Sequence, residues 1–344
     1  MNAERPTHLL SASSPEHALS RREARQEQIT FNRYFREKFN RGIRDVEVPG
    51  LGRKVKAIDI PSRTQGEGVI KVIVPGWTES VNILKPLMRA WAKQGEHVAS
   101  YTPGKLINPN RDGCPQVIWD TIAQLHESHA GSEEGRAALA SLESHDYFPL
   151  HVQRALELLA VINSSDKKVK LHAHSQGLPI ATIAALLQPE KIDSIMGDSG
   201  AGTIGEDKFS RLAGRFTVHL SGSTLRGFKG PKDAFRTVRG GIGAVKYVGQ
   251  NRTKALREAG VIASSDVFPA LEYLDKQFNI KSALIVPDKD RLYPQNRVEA
   301  ANSNHAAETG HSVGTYATKG GHNEVYVRAE KHVKFVTDVW KQLS

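Results

Sequence analysis

Short β-branched apolar runs alternate with longer stretches of helical periodicity along most of this sequence, and Pro or Gly marks nearly every boundary between them. Val69 to Val74 reads as a buried strand that stops at Pro75-Gly76, and Ser80 to Gln94 as a helix capped by Ser80. A strand from His97 to Tyr101 ends at Thr102-Pro103-Gly104. Strand, helix and strand in that order predict a parallel βαβ unit. The alternation resumes with a helix Leu150 to Ile162, a strand from Val169, a helix Ile180 to Leu187 and a strand Ile192 to Met196. It returns a last time as helix Phe268 to Phe278, strand Ser282 to Val286, helix Gln295 to Ala301, strand Val313 to Ala317 and helix Val327 to Leu343. The pattern predicts an α/β protein with a mostly parallel central sheet and helices on both faces.

Three segments depart from this rhythm. Residues up to about Ser20 read as disordered, and Arg21 to Phe39 as a helix with Ile29, Tyr34, Phe35 and Phe39 on a rough apolar stripe and arginines opposite. Such a helix either packs on the domain or docks a basic face on an anionic surface. Val46 to Ile60 reads as a hairpin turning at Pro49-Gly50-Leu51-Gly52. Lys105 to Asp146 is an excursion with helical patches Gln116 to His129 and Glu133 to Leu142, and Gly202 to Ser265 is a second one, Gly-rich and basic. The expected organisation is a basic N-terminal arm (1–45), a first core segment (46–201, including the 105–146 excursion), an inserted lid or cap (202–265) and a second core segment (266–344).

Composition narrows the class. A chain of 344 residues with 39% hydrophobic and 24% charged positions is an ordinary globular protein, large enough for one substantial core. No apolar run approaches the roughly 20 residues of a membrane span, and Met1 to Gln28 has no apolar core of a secretory signal. The lone Cys114 excludes an internal disulfide and argues against a cysteine metal site. A cytoplasmic address is the expectation. The net charge of +10 is concentrated in the arm (Arg21, Arg22, Arg25, Arg33, Arg36) and between Lys208 and Arg257.

The chemistry centres on Val169-Lys170-Leu171-His172-Ala173-His174-Ser175-Gln176-Gly177, a strand running through a small-x-Ser-x-Gly turn into a helix. Small residues, Ala173 and Gly177, stand two positions either side of the serine, where the turn crowds the backbone. Asp290 follows the strand Ala283 to Val286, His322 follows the last strand in a Gly320-Gly321-His322 loop, and Pro75-Gly76-Trp77 ends an earlier strand. A serine hydroxyl needs a histidine to take its proton, and the imidazole needs a carboxylate to fix its tautomer. All these residues fall at carboxyl ends of predicted parallel strands, where open α/β sheets place their sites. Asp288 competes with Asp290 for the carboxylate role, and Asp198 is a third candidate that could instead cap or line the pocket. His172 and His174 share a strand face, but no carboxylate or cysteine spacing around them indicates a metal.

On His174-Ser175-Gln176-Gly177, Pro75-Gly76-Trp77, Asp290 to Pro294 and Gly321-His322, the chain resembles α/β-hydrolase-fold serine hydrolases over roughly Val46 to Leu343. The resemblance implies Ser175 as nucleophile, Asp290 as acid, His322 as base, and the amides of Trp77 and Gln176 as the oxyanion hole. It also implies a lid after the sixth strand, where 202–265 falls. Ala173 replaces the usual first glycine, Pro75 a common histidine, and Pro287 a glycine frequent before the acid.

The implied activity is hydrolysis of a carboxylic ester, with thioester or amide open, through a covalent acyl-enzyme and without metal or cofactor. The substrate class is a small-molecule or lipid ester. The basic cap suggests an anionic one, or peripheral contact with an anionic membrane surface. The competing reading is a catalytically inactive protein of this fold that holds an acidic partner with its cap and arm. Nucleic-acid binding lacks interleaved aromatics or a recognition module.

Overall fold

Every apolar run of the alternating pattern becomes a strand of one eight-stranded sheet in the computed structural model, which describes residues 21–63, 69–77, 79–105, 114–143, 148–205 and 265–343. The strands are β1 (Ile43–Val48), β2 (Arg53–Ile60), β3 (Ile70–Val74), β4 (Val98–Thr102), β5 (Val169–His174), β6 (Ile192–Asp198), β7 (Lys281–Pro287) and β8 (Gly314–Thr318). They lie in the order β1-β2-β4-β3-β5-β6-β7-β8. The β1–β2 hairpin and its pairing with β4 are antiparallel, and every pairing from β4 to β8 is parallel. The helices are α1 (Arg21–Arg41), α2 (Val81–Lys93), α3 (Gln116–His129), α4 (Glu133–Glu143), α5 (Phe148–Ile162), α6 (Gly177–Leu187), α7 (Phe268–Phe278), α8 (Gln295–Thr309), α9 (Glu324–Val327) and α10 (Ala329–Leu343).

Alternation along the central strands splits the core in two. Val72, Leu171, Ala173, Ile195 and Leu284 face α5, α6 and α7, whereas Ile73, Met196, Ala283 and Ile285 face α2 and α10. The central strands are therefore buried on both sides, as parallel crossovers require. The predicted class, a mostly parallel sheet with helices on both faces, is the observed one. Among the described residues no helix is long and apolar enough to cross a membrane. The expectations for the first 20 residues and for a cap over most of 202–265 lie outside the described residues.

Four local expectations change. In α1 the buried positions are Phe31, Phe35 and Phe39, and Ile29 is exposed. A strict four-residue spacing of aromatics sets the face, and it lies in the α2 core cluster, so α1 packs on the domain. Ser80 occupies the N-cap position of α2 without using its hydroxyl; the Val81 amide donates to Thr102 Oγ1 at 3.2 Å instead. Helix α8 continues past Ala301 because Asn302 receives the Val313 amide at 3.0 Å and donates to the Val313 carbonyl at 2.7 Å, fastening a polar turn to the next segment. The terminal helix breaks at Arg328, which leaves α9 as a separate turn carrying Tyr326.

Candidate active site

The parallel register brings the ends of β3, β5, β6, β7 and β8 to one edge: Val74 pairs with Ala173, His174 with Asp198, Asp198 with Ile285, and Pro287 with Thr318. Each candidate residue leaves the sheet at that edge.

Ser175 follows β5 directly and has φ +52°, a left-handed conformation that a side chain with a Cβ rarely adopts. Its amide donates to the Asp198 carbonyl at 3.0 Å and its carbonyl accepts the amides of Leu178 and Ala201 at 3.1 and 2.9 Å. The turn is thus held from both sides in the sharp geometry that lifts a side chain off the sheet. Gly177 opens α6 where a Cβ would lie 2.6 Å from the Val74 carbonyl oxygen, so no larger residue fits. Gln176 is the N-cap of α6, which aims the helix amides at this spot. Across from it, a Cβ on Gly76 would approach the Ser175 Cβ to 3.1 Å, which places the Pro75-Gly76-Trp77 segment against the serine.

The loop after β7 supplies Asp290 and the loop after β8 supplies His322, both buried. Their contact is His322 Nδ1 to Asp290 Oδ2 at 2.9 Å. The other Asp290 oxygen accepts the amides of Leu292 at 2.8 Å and Tyr293 at 3.2 Å. Burial pushes this carboxyl up, but the His322 charge, its hydrogen bond and the two amides outweigh that and hold it below the usual range. Asp288 plays a different part: it accepts the Gly320 amide at 2.9 Å and Lys319 Nζ at 3.1 Å, which ties down the loop that carries His322.

Sequence reading passed over Glu79 and Tyr326. His174 Nδ1 lies 2.9 Å from Glu79 Oε1, and the Tyr326 hydroxyl donates to the same oxygen at 2.5 Å. Glu79 Oε2 accepts the Gly76 amide at 2.5 Å, and His174 Nε2 donates to the His322 carbonyl at 3.0 Å. Burial disfavours the charged His174 ring, yet the charge and hydrogen bond of Glu79, with Asp198 behind, lift it to about 9. The available signal was Glu79 three residues after Gly76, within reach of its amide.

The Asp198 carboxylate meets His172 and His332. It is buried with His172 and His332, which present possible ligand atoms within 4.8 Å of one another, a grouping that strand spacing alone did not reveal. His172 Nε2 lies 3.2 Å from Asp198 Oδ2, and His332 Nε2 closes on the same oxygen. The Trp91 indole donates to His172 Nδ1 at 3.2 Å, so the neutral ring carries its proton on Nε2 and offers no lone pair toward the cluster. Burial keeps that ring neutral by lowering its pKa. Burial alone would raise the Asp198 carboxyl; the charge of His332 and the hydrogen bonds of both rings depress it strongly. The cluster fits a hydrogen-bonded clamp beneath the Ser175 turn better than a metal centre. His332 had one sequence signal, a polar residue inside the apolar stripe of the last helix.

No protein-family model and no curated protein matches the sequence. By structure, the chain is similar to an esterase from Exiguobacterium antarcticum at 13% identity and a TM-score of 0.56, over 86% of this chain and 98% of that one. It is similar to a bromoperoxidase from Bacillus anthracis at 13% identity and 0.54, over 87% and 99%. A thioesterase domain from the curacin biosynthetic pathway matches at 14% identity and 0.51, over 86% and 98%. With the strand order above, these likenesses establish the α/β-hydrolase fold.

Proposed function

We propose that this α/β-hydrolase-fold chain is a serine hydrolase that cleaves a carboxylic ester. The observation that supports it best is the His322–Asp290 contact, 2.9 Å long, with the second carboxylate oxygen occupied by two backbone amides. A carboxylate so held keeps the proton of a neutral imidazole on Nδ1 and leaves the Nε2 lone pair for the serine.

In the proposed cycle Ser175 Oγ attacks the ester carbonyl carbon while His322 Nε2 takes its proton. The amides of Trp77 and Gln176 receive the oxyanion, each such donor contributing about 3 kcal/mol of barrier lowering. The C–O bond to the alcohol breaks as His322 returns the proton to the leaving oxygen. Water then attacks the acyl-serine, again giving its proton to His322, and the carboxylic acid departs as Ser175 recovers its hydrogen. Asp290 stays ionised and stabilises the imidazolium in both halves. The same steps serve a thioester. The excess of Lys and Arg between residues 208 and 257 supports an anionic substrate.

A fluorophosphonate probe is expected to label Ser175, and the purified protein to hydrolyse short p-nitrophenyl esters. Ser175→Ala should abolish both with the circular dichroism spectrum unchanged. Labelling that survives in this variant would remove Ser175 from the nucleophile role.

A further inference from the structure

Two loops of the proposed site come from distant parts of the chain: Pro75-Gly76-Trp77 after β3, and Gly320-Gly321-His322 after β8. Besides the sheet, a set of side chains joins them, with His174 buried and Glu79 and Tyr326 half-buried. Glu79 grips the first loop by the Gly76 amide at 2.5 Å, and His174 grips the second by the His322 carbonyl at 3.0 Å. Glu79 and His174 meet at 2.9 Å, and Tyr326 closes over them, donating to Glu79 at 2.5 Å. The rings of His174 and His322 lie with centroids 4.9 Å apart.

We infer that Glu79, His174 and Tyr326 form a positioning clamp that sets the oxyanion loop and the base-bearing loop relative to each other, holding the site in register only while His174 is an imidazolium. His174 Nδ1 lies 2.9 Å from both Glu79 Oε1 and the Tyr326 hydroxyl oxygen, whose proton goes to Glu79, and Nε2 faces a carbonyl oxygen, so in this arrangement every partner of the ring accepts. A neutral imidazole has one N–H and leaves one contact as an acceptor facing an acceptor. While Tyr326 donates to Glu79, only the doubly protonated ring satisfies both, and the Glu79 carboxylate supplies the charge that makes burial of that cation tolerable. The clamp rests on the reading of Ser175, His322, Trp77 and Gln176 as hydrolytic machinery, and acts through those residues without touching substrate.

The groups facing the His174 ring are Glu79 ahead of α2, Tyr326 from α9, His322 from the β8 loop, Asp198 from β6 and His172 on its own strand. Tyr326 is pushed well above the ordinary phenol range by burial and by Glu79, so it stays protonated in the alkaline window. Asp198 is depressed and His172 is kept neutral by burial. His174 is thus the group of this set placed to titrate near pH 9. Losing its proton breaks one link of the clamp.

The test is the rate of fluorophosphonate labelling at Ser175 between pH 6 and 10, on the intact protein and on Glu79→Gln. The native rate should fall by tenfold or more through an alkaline limb near pH 9. In Glu79→Gln that alkaline limb should disappear, with kcat for a short p-nitrophenyl ester down at least tenfold and KM changed less than twofold. Tracking the His174 ring by histidine-selective NMR in the native protein gives the same answer where the variant fails to fold: its titration should coincide with the alkaline limb. Labelling that climbs to a plateau and stays flat to pH 10 overturns the clamp while leaving the nucleophile intact. An absence of labelling at every pH overturns the hydrolase reading and the clamp with it.

Discussion

Asp290 Oδ2 stands 2.9 Å from His322 Nδ1, while Asp288, two residues earlier, holds the Gly320 amide and Lys319 of the same loop. Adjacent carboxylates therefore serve different tasks: one orients the ring, the other anchors the loop that carries it. Asp290→Asn should lower kcat by a factor on the order of 10⁴, the scale expected when an amide selects the wrong imidazole tautomer. Asp288→Asn should cost far less, with most of its effect on thermal stability. Steady-state kinetics on both variants decide the matter, and comparable losses of kcat would refute the division of labour.

The backbone at Ser175 makes a second prediction. Its φ of +52° suits glycine and strains any residue with a Cβ. Ser175→Ala and Ser175→Gly should both be inactive, but the glycine variant should be the more stable by about 1 kcal/mol in urea denaturation, the left-handed penalty for a single residue. Equal midpoints would show that the turn stores no strain at this position.

The third prediction concerns pH and stability. The His174 pKa is raised above its ordinary value to about 9, so its contribution to folding is complete below about pH 6.5 and is lost as pH climbs through 9. A rise of that size corresponds to about 3 kcal/mol. Burial pushes Glu79 up, but His174, Tyr326 and the Gly76 amide hold it below the usual carboxylate range, so its share is lost on the acid side instead. Unfolding free energy should therefore decline between pH 6.5 and 9 in the native protein, and Glu79→Gln should flatten that decline. A decline of equal slope in the variant would assign it to other groups.

The fold was legible because boundary chemistry and periodicity agreed. Val69 to Val74 ends at Pro75-Gly76, and Ala283 to Val286 at Pro287, so strand ends, and with them the positions of Ser175, Asp290 and His322, could be read from local signals. What stayed hidden depended on partners far along the chain. Ser80 has the chemistry of a cap, yet Thr102 from β4 reaches the Val81 amide. Ile29 matches a loose apolar stripe, yet the tighter Phe31, Phe35 and Phe39 spacing decides the buried face. Glu79 and His332 carry faint local signals, but they and Tyr326 meet His174 and Asp198 only across long sequence separations.

The order of strands in the sheet has one further bearing on this molecule. Ser175 and the Pro75-Gly76-Trp77 segment both precede residue 206, whereas Asp290 and His322 follow residue 264, so the polypeptide between those limits is the covalent bridge joining the two halves of the proposed site. A single proteolytic nick there would partition these four positions between two fragments, and the β6–β7 pairing, Ser194 to Lys281 through Asp198 to Ile285, would be a seam along which they must recombine.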